Sequence, residues 1–323
     1  MHPSGKQAAQ LIEVDEGSAG QRLDNFLHKS LKGAPQSLVY RIIRSGEVRV
    51  NKGRAGPDTR LALADRVRVP PIELAVAAPT GAVPGAMRAG QDFRVLFEDQ
   101  TLLAIDKPAG VAVHAGSGLR FGVIEAMRAA RPQAKFLELV HRLDRDTSGV
   151  LLLAKTRAAL VAMHALLREG RIDKRYLALA RGVWPHEAKH HIQSALASYV
   201  MQGGEKRVEA TDRAGAKEAH SVVSIARRFG DATLLNVQIK TGRTHQIRVH
   251  LSSCGHPIVG DDKYGDFAHN RLVAKSGFKR MFLHAARLSF VHPQDGTRVR
   301  IEAPLAHDCD AYLAGLARHA GTT

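Results

Sequence analysis

Residues 141–155 read HRLDRDTSGVLLLAK, a charged loop running directly into an uncharged strand. His141, Arg142, Asp144, Arg145 and Asp146 crowd the loop, and Gly149 opens the run VLLL at 150–153. A strand that is apolar at every position is buried on both faces, so this run predicts a central strand covered by a layer on each side. The mouth of such a strand is a rigid platform. Asp144 stands on the loop at that mouth, where a carboxylate can be held for chemistry. An ordinary charged turn ahead of a core strand fits the same spacing.

Outward from this strand, short apolar runs alternate with helix-like stretches from Phe93 to about Ala317. RVLFEDQTLLAIDKPAG (94–110) predicts two short strands around a turn, FGVIEAMRAA (121–130) a helix, and RAALVAMHALLREG (157–170) another helix. DKRYLALARG (173–182) and ATLLNVQIK (232–240) are strand candidates, the first sending Tyr176 into the domain. TGRTHQIRVHL (241–251) reads as a strand too. Its alternation sets Ile247, Val249 and Leu251 on one face and Gln246, Arg248 and His250 on the other. That second face is suited to hold a carboxylate or to meet an RNA backbone, and a solvated strand face accounts for it equally.

The chain has 323 residues, a length that predicts about two domains. The second compact stretch lies before the first strand pair. QRLDNFLHKSL (21–31) places Leu23, Phe26, Leu27 and Leu31 at helical spacing. SLVYRIIRSG (37–46) predicts a second helix, burying Leu38, Val39, Ile42 and Ile43, capped by Ser37 and ended by Gly46. Arg41 and Arg44 share its other face. EVRVN and DRVRVP follow as short strands in which valine alternates with charge. Residues 20–70 carry eleven Lys/Arg against four Asp/Glu, so this small unit concentrates positive charge. Residues 71–91, rich in Ala, Pro and Gly, read as linker-like.

Charge narrows the function. A net charge of +16 gives a field that attracts polyanions, most commonly nucleic acid. No uncharged apolar run is long enough to span a bilayer, and MHPSGKQAAQ has no apolar stretch to act as a signal peptide, so the expectation is a cytoplasmic protein without a membrane. Cys254 and Cys309 form no CxxC pair. GSGLRFG (116–122) is one residue too long between its last glycines for a dinucleotide loop, and no P-loop, HExxH or Cys/His array occurs. The expectation is no cofactor and no metal.

Taken together, HRLDRDTSG, KRYLALARG, GRTHQIRVHLSSCGHPIVGDDKYG, IDKPAGVAVHAGSG and FLHAARLSFVHP resemble the RluA family of pseudouridine synthases. The basic stretch in front resembles the S4 RNA-binding module, and the combination resembles the subgroup acting on the 23S RNA of the large ribosomal subunit. The resemblance runs from about Gln21 to Pro304. It implies an α+β chain: an S4 module of αL type, then a catalytic domain whose central mixed, mainly antiparallel sheet is flanked by helices. The implied boundaries are a flexible tail at 1–19, the S4-like domain at 20–80, a linker at 81–91 and the catalytic domain at 92–323.

The implied reaction breaks the C1′–N1 bond of uridine, turns the uracil and joins C5 to C1′. It is an isomerisation that needs no cofactor, on a base flipped out of its stack. The resemblance places the catalytic carboxylate on Asp144, its guanidinium partner on Arg248, and the aromatic against the base, a candidate acceptor of the C5 proton, on Tyr176. Asp146 is the neighbouring carboxylate. Lys107 and Pro108 support the pocket floor, with His141, Arg142 and Leu143 from the same loop. Arg41, Arg44, Arg49, Lys52, Arg243 and His245 are expected to meet RNA. The implied partner is 23S ribosomal RNA or a pre-ribosomal large-subunit particle, met by a monomer. KEAHSVVSIARR departs from the family at His220, and 200–216 reads as a loop.

Overall fold

The computed structural model describes residues 5–7, 9–31, 34–74, 93–114, 122–201 and 205–320. The chain divides into two compact units, residues 1–82 and 83–323. The linker expected at 81–91, and Gly116 and Gly118 of GSGLRFG, lie outside the described residues.

The first unit holds β1 (Gly5–Gln7), β2 (Gln10–Glu13), α1 (Leu23–Ser30), α2 (Gln36–Arg44), β3 (Arg49–Val50), β4 (Gly53–Arg54), β5 (Arg66–Val69) and β6 (Ile72–Leu74). Leu23, Phe26 and Leu27 of α1 pack on Val39, Ile42 and Ile43 of α2, over Val67 and Val69 of β5. Full burial of each such side chain contributes roughly 1.5–3 kcal/mol, which makes this apolar seam the main source of the unit's stability. Asp24, buried at the seam, accepts from Arg22 at 2.7 Å and from the Tyr40 hydroxyl at 2.9 Å, so one carboxylate ties α1 to α2. The Arg22 bond holds its pKa below the usual range against the cost of burial.

Three local expectations change here. The tail is not loose from Gln10 onward, because β2 pairs with β5 across Gln10↔Val69 to Glu13↔Arg66 and Val14 is buried. Residues 72–74 of the linker-like stretch form β6 and pair with β1. Ser37 does not cap α2, which starts one residue earlier after Pro35 with no side-chain cap. Proline's fixed φ already sets the entry to the helix. Gly46 does end it, at φ +76°.

The second unit is built on one long sheet. Its elements are β7 (Val95–Glu98), β8 (Leu102–Lys107), α3 (Val123–Ala130), β9 (Glu138–Leu139), β10 (Ser148–Ala154), α4 (Arg157–Arg168), β11 (Asp173–Arg181), β12 (His190–Val200), β13 (Lys206–Ala210), β14 (Lys217–Phe229), β15 (Ala232–Ile239), α5 (Gln246–Ser253), α6 (Phe267–Lys275), β16 (Leu283–Val291), β17 (Arg298–Glu302) and α7 (His307–Ala320). The sheet order is β13-β12-β14-β15-β11-β16-β10-β8-β7, with β17 beside β16 and β9 beside β10. The β10–β16 pair is parallel and the other named pairs are antiparallel, so the sheet is mixed and mainly antiparallel as expected.

All seven residues of β10 are buried. Leu151 and Leu153 pack with Met127 of α3, while Val150, Leu152 and Ala154 pack with Leu160, Met163 and Leu166 of α4. The uninterrupted apolar run therefore reports burial on both faces. Where β10 runs beside β16, Gly149 sits at φ +106°, and an added Cβ would overlap the Ala285 carbonyl. Gly149→Ala is expected to cost about 2–4 kcal/mol through backbone strain and overpacking, read as a lowered urea midpoint of the full-length protein. An unchanged midpoint would contradict the close approach of the two strands.

Two segments differ from expectation. Residues 200–216 include β13, whose register with β12 runs from Leu196↔Ala210 to Val200↔Lys206. More consequentially, QIRVHL is a helix, α5, and its first six residues are all buried. The alternation is present as a pattern but does not mark a strand face. The polar residues are buried too, because each meets a polar partner inside the unit. Tertiary bonding overrides the strand preference of Ile247 and Val249.

Candidate active site

The site forms where the loop before β10 meets the loop and helix after β15. The Asp144 carbonyl accepts from Thr147 N–H at 3.2 Å, closing a turn that starts β10. Lys107, at the end of β8 and fully buried, fastens this loop from below. Its Nζ donates to the carbonyls of Pro108 (2.8 Å), Val111 (2.8 Å) and Arg145 (2.9 Å). Burial lowers the Lys107 pKa to about 7, opposed by the charges of Asp146 and Asp144. Three carbonyl acceptors match the three N–H bonds of an ammonium. His141 accepts from the Leu152 N–H at 3.1 Å through Nε2, which fixes that nitrogen as the unprotonated one.

The other wall begins with His245, held left-handed at φ +54° immediately before α5. Gln246 anchors the helix start. Its Oε1 accepts from the Thr241 hydroxyl (2.7 Å) and Arg243 N–H (3.0 Å), and its Nε2 donates to the His220 carbonyl (3.0 Å) and Ser221 Oγ (3.0 Å). Two residues on, Arg248 is 3% exposed and is gripped by Asp261, itself fully buried, through Nε and Nη2 at 2.7 Å each. Its Nη2 also lies 3.3 Å from Asp262, and its Nη1 lies 3.6 Å from Asp144 Oδ2. The bidentate partner of Arg248 is thus Asp261, and the expected pairing with Asp144 is made through the third nitrogen alone. Burial pushes the Asp261 carboxyl up, but the Arg248 bonds outweigh it and hold it below the carboxylate range. For Arg248 the same pair overcomes burial and keeps the guanidinium charged.

These two walls enclose a small cleft lined by Arg142, Leu143, Asp144, Tyr176, Arg243, His245 and Arg248, among others. Tyr176 enters from β11, buried, and burial reinforced by the Asp144 charge raises its pKa. The phenol therefore stays protonated at pH 7, which opposes a resting phenolate. Arg243 reaches outward and donates to the Glu218 carbonyl at 3.0 Å. His245 is an inner-wall residue, its Nε2 4.0 Å from Asp144 Oδ2. Asp146 does not face this cleft. It pairs with Arg145 at 3.1 Å and lines a separate cleft with Pro108 and Arg280. In the first unit, Arg41, Arg44 and Lys52 are exposed and Arg49 is half-buried in β3. Among the described residues, no group of three or more His, Cys, Asp or Glu is placed to hold a metal ion.

Asp261, Asp262 and Tyr264 carry no expected role from the sequence, although GDDKYG belongs to a motif that marks the family. The available signal was two adjacent acids after a glycine in a strongly basic chain. Nothing local ties them to an arginine thirteen positions earlier.

His141, half-buried, and His250, fully buried, are expected to make the unit acid-sensitive. Burial lowers His141 and His250 from 6.5 to about 4 each. The unfolded chain then binds more protons than the folded one between these values, so stability falls as pH drops from 6.5 toward 4. The loss is up to about 3 kcal/mol per histidine. Urea midpoints measured from pH 7 to pH 4.5 should decline through this window, and a flat profile between pH 6.5 and 5 would contradict it.

The chain is similar to known proteins over most of its length. The family model described as RNA pseudouridylate synthase matches residues 101–253, and the S4 domain matches residues 21–67. The chain is 50% identical over 313 residues to a ribosomal large subunit pseudouridine synthase C from Yersinia pestis, covering 96% of this chain and 97% of that protein. It is 48% identical to the protein of the same name from Escherichia coli K12, covering 92% and 93%. Among solved structures it is similar to human RNA pseudouridylate synthase domain containing 4, with a TM-score of 0.58 and 25% identity over 69% of this chain and 93% of that one. No helix among the described residues is long and apolar enough to cross a membrane.

Proposed function

Because the chain belongs to the RNA pseudouridylate synthase family, with an S4 domain in front, we propose that it isomerises uridine to pseudouridine in the 23S RNA of the large ribosomal subunit, with Asp144 as the catalytic carboxylate. The observation that carries the assignment is the cleft at the mouth of β10, where Asp144 faces Tyr176 and Arg248 Nη1 stands 3.6 Å from its Oδ2. A carboxylate is what the reaction requires, either to attack the sugar or base or to take the 2′ proton. Tyr176 packs against the flipped base as a neutral phenol, and Lys107 holds the Asp144 loop in place through the Arg145 carbonyl.

The S4-like stretch at 20–80 is the RNA-docking domain and 92–323 the catalytic domain, in a protein acting as a cytoplasmic monomer on naked RNA or an assembling particle. Arg41, Arg44, Arg49 and Lys52 neutralise phosphates from the first unit, and Arg243 does so from the rim of the cleft. A pseudouridine map of large-subunit RNA from cells with and without the gene tests the function directly. Loss of one or more modified sites is expected, and an unchanged map overturns it.

The docking role has its own test. Replacing both Arg41 and Arg44 by Ala should weaken binding to all RNA sequences alike. The slope of log K against log salt should fall by up to about 0.7–0.9 for each phosphate that is no longer neutralised. An unchanged slope would remove these residues from the RNA interface.

A further inference from the structure

His245 and Tyr264 are hydrogen-bonded to each other, and the far nitrogen of His245 points toward the proposed catalytic carboxylate. The Val208 N–H of β13 donates to the Tyr264 hydroxyl oxygen at 2.9 Å. A backbone N–H can only donate, so the hydroxyl accepts there and keeps its own hydrogen to give. His245 Nδ1 lies 2.7 Å from that hydroxyl. Burial raises the Tyr264 pKa, so the phenol retains its proton. The imidazole is half-buried beside two cations, Arg248 and Lys263, and two carboxylates, Asp144 and Asp261, with burial the leading influence against its charged form. A neutral ring that accepts at Nδ1 carries its hydrogen on Nε2. Nε2 is the atom 4.0 Å from Asp144 Oδ2, the same oxygen that Arg248 Nη1 approaches at 3.6 Å.

We infer that His245, fixed by Tyr264 as its Nε2–H tautomer, is a second hydrogen-bond donor to Asp144 Oδ2, so that His245 and Arg248 together engage one oxygen and leave Oδ1 for the substrate. His245 and Tyr264 are positioning residues in this arrangement. The 4.0 Å separation closes to hydrogen-bond distance when RNA fills the cleft, as catalytic hydrogen bonds commonly tighten on binding. The turn carrying Tyr264 is stitched to the end of the β12–β13 hairpin by two further bonds. Lys263 pairs with Glu205 at 2.7 Å, and Arg207 Nη1 donates to the Lys263 carbonyl at 3.1 Å. The position of β13 is thereby linked to the donor set of Asp144. This arrangement replaces the RNA-binding role expected for His245, and it rests on the reading of Asp144 as the catalytic carboxylate.

The test uses the full-length protein labelled with nitrogen-15 in its histidine rings. The His245 signals are assigned by their disappearance in His245→Gln. At pH 7.5 the wild type should show His245 as the Nε2–H tautomer, and Tyr264→Phe should show a mixture of tautomers. The Phe variant keeps the ring that lies 5.1 Å from the Arg248 guanidinium and removes only the hydroxyl. Its kcat on 23S transcript should fall about tenfold, which is about 1.4 kcal/mol, with KM unchanged. His245→Gln, which keeps an N–H donor, should retain more activity than His245→Ala. An Nδ1–H tautomer in the wild type, or an unchanged kcat in Tyr264→Phe, would overturn the inference. Asp144→Asn separates the two readings. Inactive Asp144→Asn with the Nε2–H signal preserved supports both, whereas active Asp144→Asn removes the catalytic carboxylate on which the inference depends.

Discussion

Asp144→Asn should reduce pseudouridine formation by at least about 10⁴-fold, the scale on which loss of an essential reacting group acts. The substitution preserves volume and leaves Tyr176 and Arg248 in the cleft, so it removes charge and nucleophilicity without removing the site. RNA affinity should stay within about tenfold, or ~1.4 kcal/mol, because the substitution leaves every proposed phosphate-binding residue in place. Single-turnover rates on 23S transcript, with filter-binding affinities on the same preparations, measure both quantities. Asp146→Asn is the matched control. Asp146 pairs with Arg145 and lines a different cleft, so its loss should leave substantial activity. Appreciable turnover by the Asp144 variant, or a dead Asp146 variant beside an active Asp144 one, would move the chemistry to the other carboxylate.

Arg248→Ala should damage both rate and stability, for separable reasons. Asp261 is fully buried and takes two 2.7 Å bonds from this guanidinium. Removing the cation strands a buried carboxylate, a change that typically costs about 3–5 kcal/mol. It also takes away the charge nearest Asp144, and loss of one oriented donor at a reacting centre commonly costs about 10²–10³ in rate. The rate should therefore fall at saturating RNA, with the salt dependence of binding almost unchanged, in contrast to the Arg41/Arg44 double variant. Arg248→Lys should recover part of the stability but little of the rate, since an ammonium cannot fork to Asp261 while facing Asp144. Urea midpoints and single-turnover rates at a temperature where each variant is folded separate these effects. An equal drop of salt slope in the Arg248 and Arg41/Arg44 variants would show that Arg248 is a general surface cation.

Much of the architecture was legible because it obeys local rules. The all-apolar run at 150–153 implied a strand covered on both faces, and β10 has α3 packed on one side and α4 on the other. Helical spacing of Leu23, Phe26 and Leu27 gave α1 its buried face, and valine alternation gave β5 its rhythm of buried Val67 and Val69 beside exposed Arg66 and Arg68. The motif around Asp144 marked the family. The alternation in QIRVHL misled because a period of two identifies a strand only when one face is solvated. In α5 the polar residues Gln246, Arg248 and His250 are as buried as the apolar ones, so the pattern carried no information about a face.

The sequence by itself determined the two-unit organisation, the central strand, the family and the loop that carries the candidate carboxylate. The strand and the loop follow from residue spacing over fewer than about fifteen positions, the range over which periodicity and turn chemistry operate, and the two units and the family from chain length and motifs spread along the chain. Only the tertiary structure decided who pairs with whom inside the site. Lys107 reaches the Arg145 carbonyl across 38 positions, and Asp144 meets Arg248 and His245 from more than a hundred positions away. Asp261, thirteen residues from Arg248, claims its forked side because a fully buried carboxylate must find a charged, doubly bonding partner, and the fold brings that guanidinium within reach. Such pairings are set by desolvation in a shared interior, and desolvation exists only once the chain has folded.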